Sequence, residues 1–137
     1  MVANDAPKNR FERIHDVIRL IPKGHVSSYG DIAAFTGGVT ARHVGFALSN
    51  APEDLPWQRV VNSQGAVAVR GSDAMTLQRE LLEKEGITFD KKDQINWRRF
   101  GWEGPSLGWF LDRGDEVEMA IATLSKVSER HQRQSRK

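Results

Sequence analysis

The 137-residue chain contains no cysteine. Disulfides, thiolate metal sites and a cysteine nucleophile are therefore excluded. No apolar run approaches the roughly 20 residues of a membrane-spanning helix, so no membrane is expected as a partner. The N-terminus "MVANDAPKNR" has no apolar signal-like stretch. Cytoplasmic residence is the expectation, with nucleoid association in a bacterium. Neither charge sign dominates, since 20 Lys and Arg stand against 18 Asp and Glu. The resulting pI of about 9.2 permits an anionic partner without demanding one. The four histidines (His15, His25, His43 and His131) show no metal-ligand spacing between any pair, and no cofactor is expected.

What is present suits one domain with one core: 39% hydrophobic and 28% charged residues. "NRFERIHDVIRLI" places Phe11, Ile14, Val17, Ile18 and Ile21 at helical spacing, with Asn9 as N-cap. "HVSSYGDIAAFTGG" pairs Ser28 with Asp31 as a capping box and stops at Gly37 and Gly38. "TARHVGFALSN" follows a tight turn, with Thr40 as N-cap and Val44, Ala47 and Leu48 facing inward. Two short helices joined by a Gly-containing turn suggest a helix-turn-helix. "RVVNSQGAVAV" reads as a β-hairpin about "NSQG". "DAMTLQRELLEKEG" is amphipathic through Met75, Leu77, Leu81 and Leu82. A last helix is expected in "GDEVEMAIATLSKVSERH", with Val117, Ile121, Leu124 and Val127 on one side. The tail "RHQRQSRK" is expected to fray.

Taken alone, most polar candidates read as ordinary surface or packing residues. Arg42 is a solvated arginine, although the second residue of a recognition helix points at DNA. Gly45 allows close approach of another backbone. Tyr29 opens a helix with its ring half buried. Trp57 plugs a core edge after Pro56, and Arg59 ties that loop to a carbonyl or carboxylate. Arg70 is a surface charge, and "EKE" from Glu83 to Glu85 is a solvated helix end. The tryptophans between Trp97 and Trp109 close the core or, less simply, offer a stacking platform for bases.

Their order carries more than any one of them. "IPKGHVSSYGDIA", "ARHVGFALSN", "PWQRVVNSQGAV" and "LQRELLEKEG" together resemble the DNA-binding domain of the O6-alkylguanine-DNA alkyltransferases, from about Phe11 to Trp102. That family reads Pro-Cys-His-Arg-Val in the third block, and its cysteine accepts the alkyl group. Trp57 stands at the cysteine position, which looks like the alkyltransferase-like branch. Gln58 stands at the histidine position, where that branch usually keeps the histidine. Glu85 matches the family's glutamate. An amide cannot take up a proton as imidazole does, so the resemblance implies a vestigial active site at Trp57, Gln58 and Glu85 and no catalytic residue.

The resemblance implies a mostly α fold with a small β-hairpin and a winged-helix-like helix-turn-helix. It implies an alkyltransferase-like DNA-binding domain over 1–104 and a C-terminal extension over 105–137, a helix plus basic tail. Tyr29, Thr40, Ala41 and Arg42 match DNA-binding and flipping positions. Tyr29 would help rotate the target phosphate, and Arg42 would fill the vacated stack. Asn50, Trp57, Val60 and Arg70 match the lesion pocket, with Arg70 against the flipped base. The implied protein is a monomeric, non-enzymatic sensor that binds O6-alkylguanine in duplex DNA by nucleotide flipping. In the family such a complex attracts nucleotide excision repair proteins. The rival readings are a helix-turn-helix transcription regulator, an enzyme with a replaced nucleophile, and a weakly DNA-binding relic. The hairpin and the "PWQR" turn serve no purpose in a regulator.

Overall fold

The computed structural model describes residues 8–67 and 72–134. The second hairpin strand beyond Val67, and Arg70 with it, lie outside the described residues. Helix α1 (Arg10–Arg19) begins on a full capping box, in which Asn9 accepts from the Glu12 N–H and the Glu12 carboxylate accepts from the Asn9 N–H. Strand β1 (Ser27–Ser28) leads directly into α2 (Tyr29–Thr36), and α3 (Ala41–Ser49) follows. A 3-10 turn over Trp57–Arg59 feeds β2 (Val60–Val61). Then come α4 (Ser72–Lys84), α5 (Trp97–Phe100), α6 (Leu107–Asp112) and α7 (Val117–Gln134).

Helices α1, α2 and α3 pack against one another, and His15 Nε2 bonds the Ala47 carbonyl at 2.8 Å to join α1 to α3. The turn between α2 and α3 runs through Gly37 (φ 82°) and Gly38 (φ 72°). Both lie in the left-handed region where a side chain would strain the backbone. This is the expected helix-turn-helix. The sheet differs from the hairpin alone: β1 and β2 pair in parallel, Ser27 with Val60 and Ser28 with Val61. Val26 forms a further parallel bridge to Gly101. The "NSQG" turn is present, with Asn62 Oδ1 accepting from the Gln64 and Ala66 N–H groups, and one antiparallel bridge joins Val61 to Val67.

Two helix faces and the tail depart from the sequence expectation. In α4 the buried residues include Gln78 and Leu82, whereas Met75 and Leu77 are exposed. In α7 the inward stripe is Ala120, Leu124, Val127 and His131, and Val117 and Ile121 face outward. The basic tail does not fray at its start: the helix runs to Gln134 with His131 buried. Phe110, Ala120 and Val127 share one core cluster with Ile14, Ile18 and Phe35 from the first two helices. Gly104 (φ 113°) lets the chain pass close beneath that cluster, since a Cβ there would stand 2.6 Å from the Phe35 ring and 2.9 Å from Leu124. Trp97 and Trp102 are buried, so neither ring is free to stack on a base.

A buried electrostatic clasp joins α2 to α7. The Asp31 N–H caps on Ser28 Oγ, as the sequence suggests. Its carboxylate does not close the box. It points instead at Arg130 (2.6 Å) and at His131 Nε2 (3.2 Å), and His131 stacks on Trp97 with ring centroids 5.0 Å apart. A carboxylate only accepts, so this contact sets the histidine proton on Nε2.

Candidate nucleic-acid interface

Thr40 caps α3 by accepting from the His43 N–H, while its own N–H donates to His43 Nδ1 at 3.0 Å. That fixes the backbone of Ala41 and Arg42 at the start of the helix, and all three residues are exposed. The Arg42 guanidinium sits 5.5 Å from the ring centre of Phe46, one turn on. No carboxylate among the described residues pairs with it. Phe46 is 48% exposed, a large apolar ring on the outer side of a helix whose inner side is Val44 and Ala47. Sequence reasoning passed over Phe46, although its i,i+4 spacing from Arg42 was there to be seen.

Tyr29 is the first residue of α2 and packs half buried against α3. Gly45 of α3 faces the ring, and a Cβ there would stand in ordinary contact with Tyr29 Cε2 at 3.6 Å. Burial pushes the phenol pKa up, so Tyr29 is a neutral hydroxyl at physiological pH. Asn50 is the exposed C-cap of α3, at the start of the loop that leads to the "PWQR" turn.

That turn is tightly tied. Trp57 is half buried and lines an open hollow of about 580 Å³ with Arg19, Asp54, Pro56, Gln58 and Leu81. The Arg19–Asp54 ion pair (3.1 Å) belongs to the same lining. Gln58 Nε2 donates to Glu85 Oε2 at 3.0 Å. Arg59 Nε donates to both Glu85 oxygens at 3.1 Å, and its Nη1 donates to the Ile21 carbonyl at 2.9 Å. The Gly24 N–H completes the set on Glu85 Oε1 at 2.9 Å. Gln78, fully buried on α4, donates to the carbonyls of Gln58 and Val60.

Glu85 is thus not part of a solvated helix end: its side chain is 8% exposed and Arg59's 18%. The sequence pattern hid this because the partners lie 26 to 61 positions away. Burial alone would raise the Glu85 pKa, but the Gly24 N–H, the Gln58 amide and Arg59 together outweigh it and lower it. A depressed folded-state pKa adds stability above the usual glutamate range and loses it as pH falls through the folded value. Glu85→Gln is expected to cost about 1–3 kcal/mol at pH 7, the penalty for unpairing buried polar groups. Denaturant midpoints between pH 7 and pH 3 should converge for parent and variant. Midpoints separated by the same interval throughout would show that the carboxylate charge contributes nothing.

The sequence-derived positions therefore fall into three groups. Gln58 and Glu85 bond directly, and Tyr29 meets the helix that carries Arg42. Trp57 and Asn50 lie on the loop between those two places. Val60 is buried in the core rather than at the hollow's surface.

A helix-turn-helix joined to a locked turn, with no ionisable nucleophile at its head, defines a DNA-binding domain of the alkyltransferase type. The family model for the "6-O-methylguanine DNA methyltransferase, DNA binding domain" matches residues 9–87, and the chain belongs to that family. A "DNA base-flipping protein" of Vibrio parahaemolyticus is 47% identical over 94 residues, 66% of this chain and 93% of that protein. "Alkyltransferase-like protein 1" of Schizosaccharomyces pombe is 40% identical over 81 residues, 56% of this chain and 75% of that protein. The fold matches the crystal structure of S. pombe Atl1 in complex with damaged DNA containing O6-carboxymethylguanine (TM-score 0.59, 30% identity, 74% of this chain and 98% of that one). Among the described residues no helix is long and apolar enough to cross a membrane.

Proposed function

We propose that this protein binds O6-alkylguanine in duplex DNA by flipping the damaged nucleotide out of the stack, and does no chemistry on it. The observation that carries the reading is the locked turn. Glu85 and Arg59 hold "PWQR" in place although neither Trp57 nor Gln58 can accept an alkyl group or move a proton. A turn kept rigid without a reagent serves recognition. Trp57 would wall the lesion pocket, Arg42 would replace the extruded base, and Tyr29 would donate its hydroxyl to the rotated phosphate. Arg70, assigned by resemblance alone, would lie against the flipped base, and Asn50 would hinge helix and turn. O6-alkylation removes the guanine N1 proton and blocks O6, so the damaged base costs less to extrude. The protein would act as a monomer on cytoplasmic DNA, and its stable complex would attract nucleotide excision repair.

One pair of duplexes tests this at stated salt. A duplex with a single O6-methylguanine is expected to bind tighter than its guanine counterpart in unrelated flanking sequences. Tritium in the methyl group should stay on the DNA. Equal affinities would return the protein to a relic, strong dependence on one flanking sequence to a regulator, and stable label on protein to an enzyme.

A further inference from the structure

A second groove opens at the α2–α3 turn, where α7 passes. Gly30, Ala34, Gly38, Thr40 and Ala41 line it from the helix-turn-helix, and Thr123, Lys126 and Arg130 line it from α7. Its volume is about 520 Å³, and no carboxylate is in the lining. The helix-turn-helix wall is small side chains, and a Cβ added at Gly30 would meet nothing within 4 Å. A bulky ligand can thus approach the backbone closely.

The α7 wall supplies positive charge. Lys126 is exposed and makes no ion pair or hydrogen bond among the described residues. Arg130 gives one nitrogen to Asp31 and still has 41% of its side chain exposed, so part of its five-donor fork is available. Arg13 and Arg113 both donate to the Thr36 carbonyl at the adjacent end of α2, adding to the positive field. Arg113 is balanced by Asp115 (2.8 Å), whereas Arg13 has no carboxylate partner among the described residues. A tetrahedral anion on an extended backbone suits such a groove. Thr40 and Ala41 connect it directly with Arg42.

We infer that this groove takes a phosphodiester of the same duplex, beside the nucleotide that α3 engages, with Lys126 and Arg130 as its cations. The inference rests on the reading of α3 as the DNA-facing helix. It gives α7 a function in binding as well as in folding. A phosphate contact positions the protein and carries no lesion information, so it strengthens binding to damaged and undamaged duplex alike.

Lys126→Ala in the full-length protein tests it. Lys91→Ala, on the turn at residues 90–93 and outside the groove lining, removes the same charge as a control. Binding of both duplexes is followed by fluorescence anisotropy over a range of salt. Losing one phosphate contact should flatten the log–log salt slope by about 0.9, with an affinity loss of about 3- to 10-fold at low salt. Both duplexes should change alike, and Lys91→Ala should change either one less. Parental affinity and slope in Lys126→Ala, in a protein that Arg42→Ala still weakens, would overturn the groove and leave the α3 reading standing. A loss confined to the lesion duplex would also overturn it, by making Lys126 part of the pocket. Indifference to both Lys126→Ala and Arg42→Ala would remove the α3 reading and the groove together.

Discussion

An Asp31→Ala protein is expected to be less stable than its parent by about 1–3 kcal/mol, the range for leaving a buried polar group without its partner. Asp31 is 2% exposed, and its carboxylate faces both Arg130 and His131. Alanine would leave a buried imidazole N–H without an acceptor, directly beneath Trp97. The Ser28 cap on the Asp31 backbone N–H survives the change, so helix propensity is not the source of the loss. Asp31→Asn should lie between parent and alanine, since an amide oxygen still accepts from His131. Urea unfolding at pH 7, followed by both fluorescence and circular dichroism, measures the effect. A loss below about 1 kcal/mol would mean that α7 is held by Phe110, Val127 and their neighbours alone. The same clasp warns against removing the chain from Ser128 onward as a simple loss of basic arm. Such a truncation also deletes Arg130 and His131.

Arg42→Ala should have the opposite profile: little change in stability and a large change in binding. Arg42 is exposed and, beyond its place 5.5 Å from the Phe46 ring centre, makes no hydrogen bond or ion pair among the described residues, so its truncation should alter stability by no more than about 0.5 kcal/mol. In the flipped complex its guanidinium would stack where the base had been. Losing a cation from an aromatic face costs about 1–2 kcal/mol, roughly a 5- to 30-fold loss in affinity. A fluorescent base analogue at the target position separates the steps. Arg42→Ala should suppress the unstacking signal, and Arg70→Ala should keep the signal while shortening the life of the complex. Full affinity and full unstacking in Arg42→Ala would end the flipping assignment for this residue. Phe46→Ala makes a useful companion, because it removes the surface on which the guanidinium rests in the free protein.

The elements that could be read in advance are those whose partners are near in sequence. Asn9, Ser28 and Thr40 each cap a helix through a bond spanning three residues, and each stands where the pattern placed it. Gly37 and Gly38 end α2 through their own backbone preference. Faces were harder. In α7 apolar residues occur on two sides, and periodicity cannot say which side is inward. The choice is made by His131 meeting Asp31 a hundred positions earlier. The parallel pairing of Ser27–Ser28 with Val60–Val61 leaves no local trace either, since neither strand is longer than two residues. Glu85 shows the same limit at the site: three charged-looking residues in a row suggest solvent, and only the folded chain brings Gly24, Gln58 and Arg59 to one of them.

The bond between Gln58 and Glu85 also limits what the turn could become. Glutamine spans the gap to Glu85 at 3.0 Å, but it carries no proton that can leave. A cysteine placed at position 57 would have a thiol beside an inert amide. With an ordinary thiol pKa near 8.5, only a few per cent would be thiolate at pH 7. Neither that change nor a histidine at 58 beside Trp57 would by itself assemble an activated thiol. Both substitutions would be needed together. The glutamine therefore keeps the shape of the turn, while no single substitution in it supplies an activated thiol.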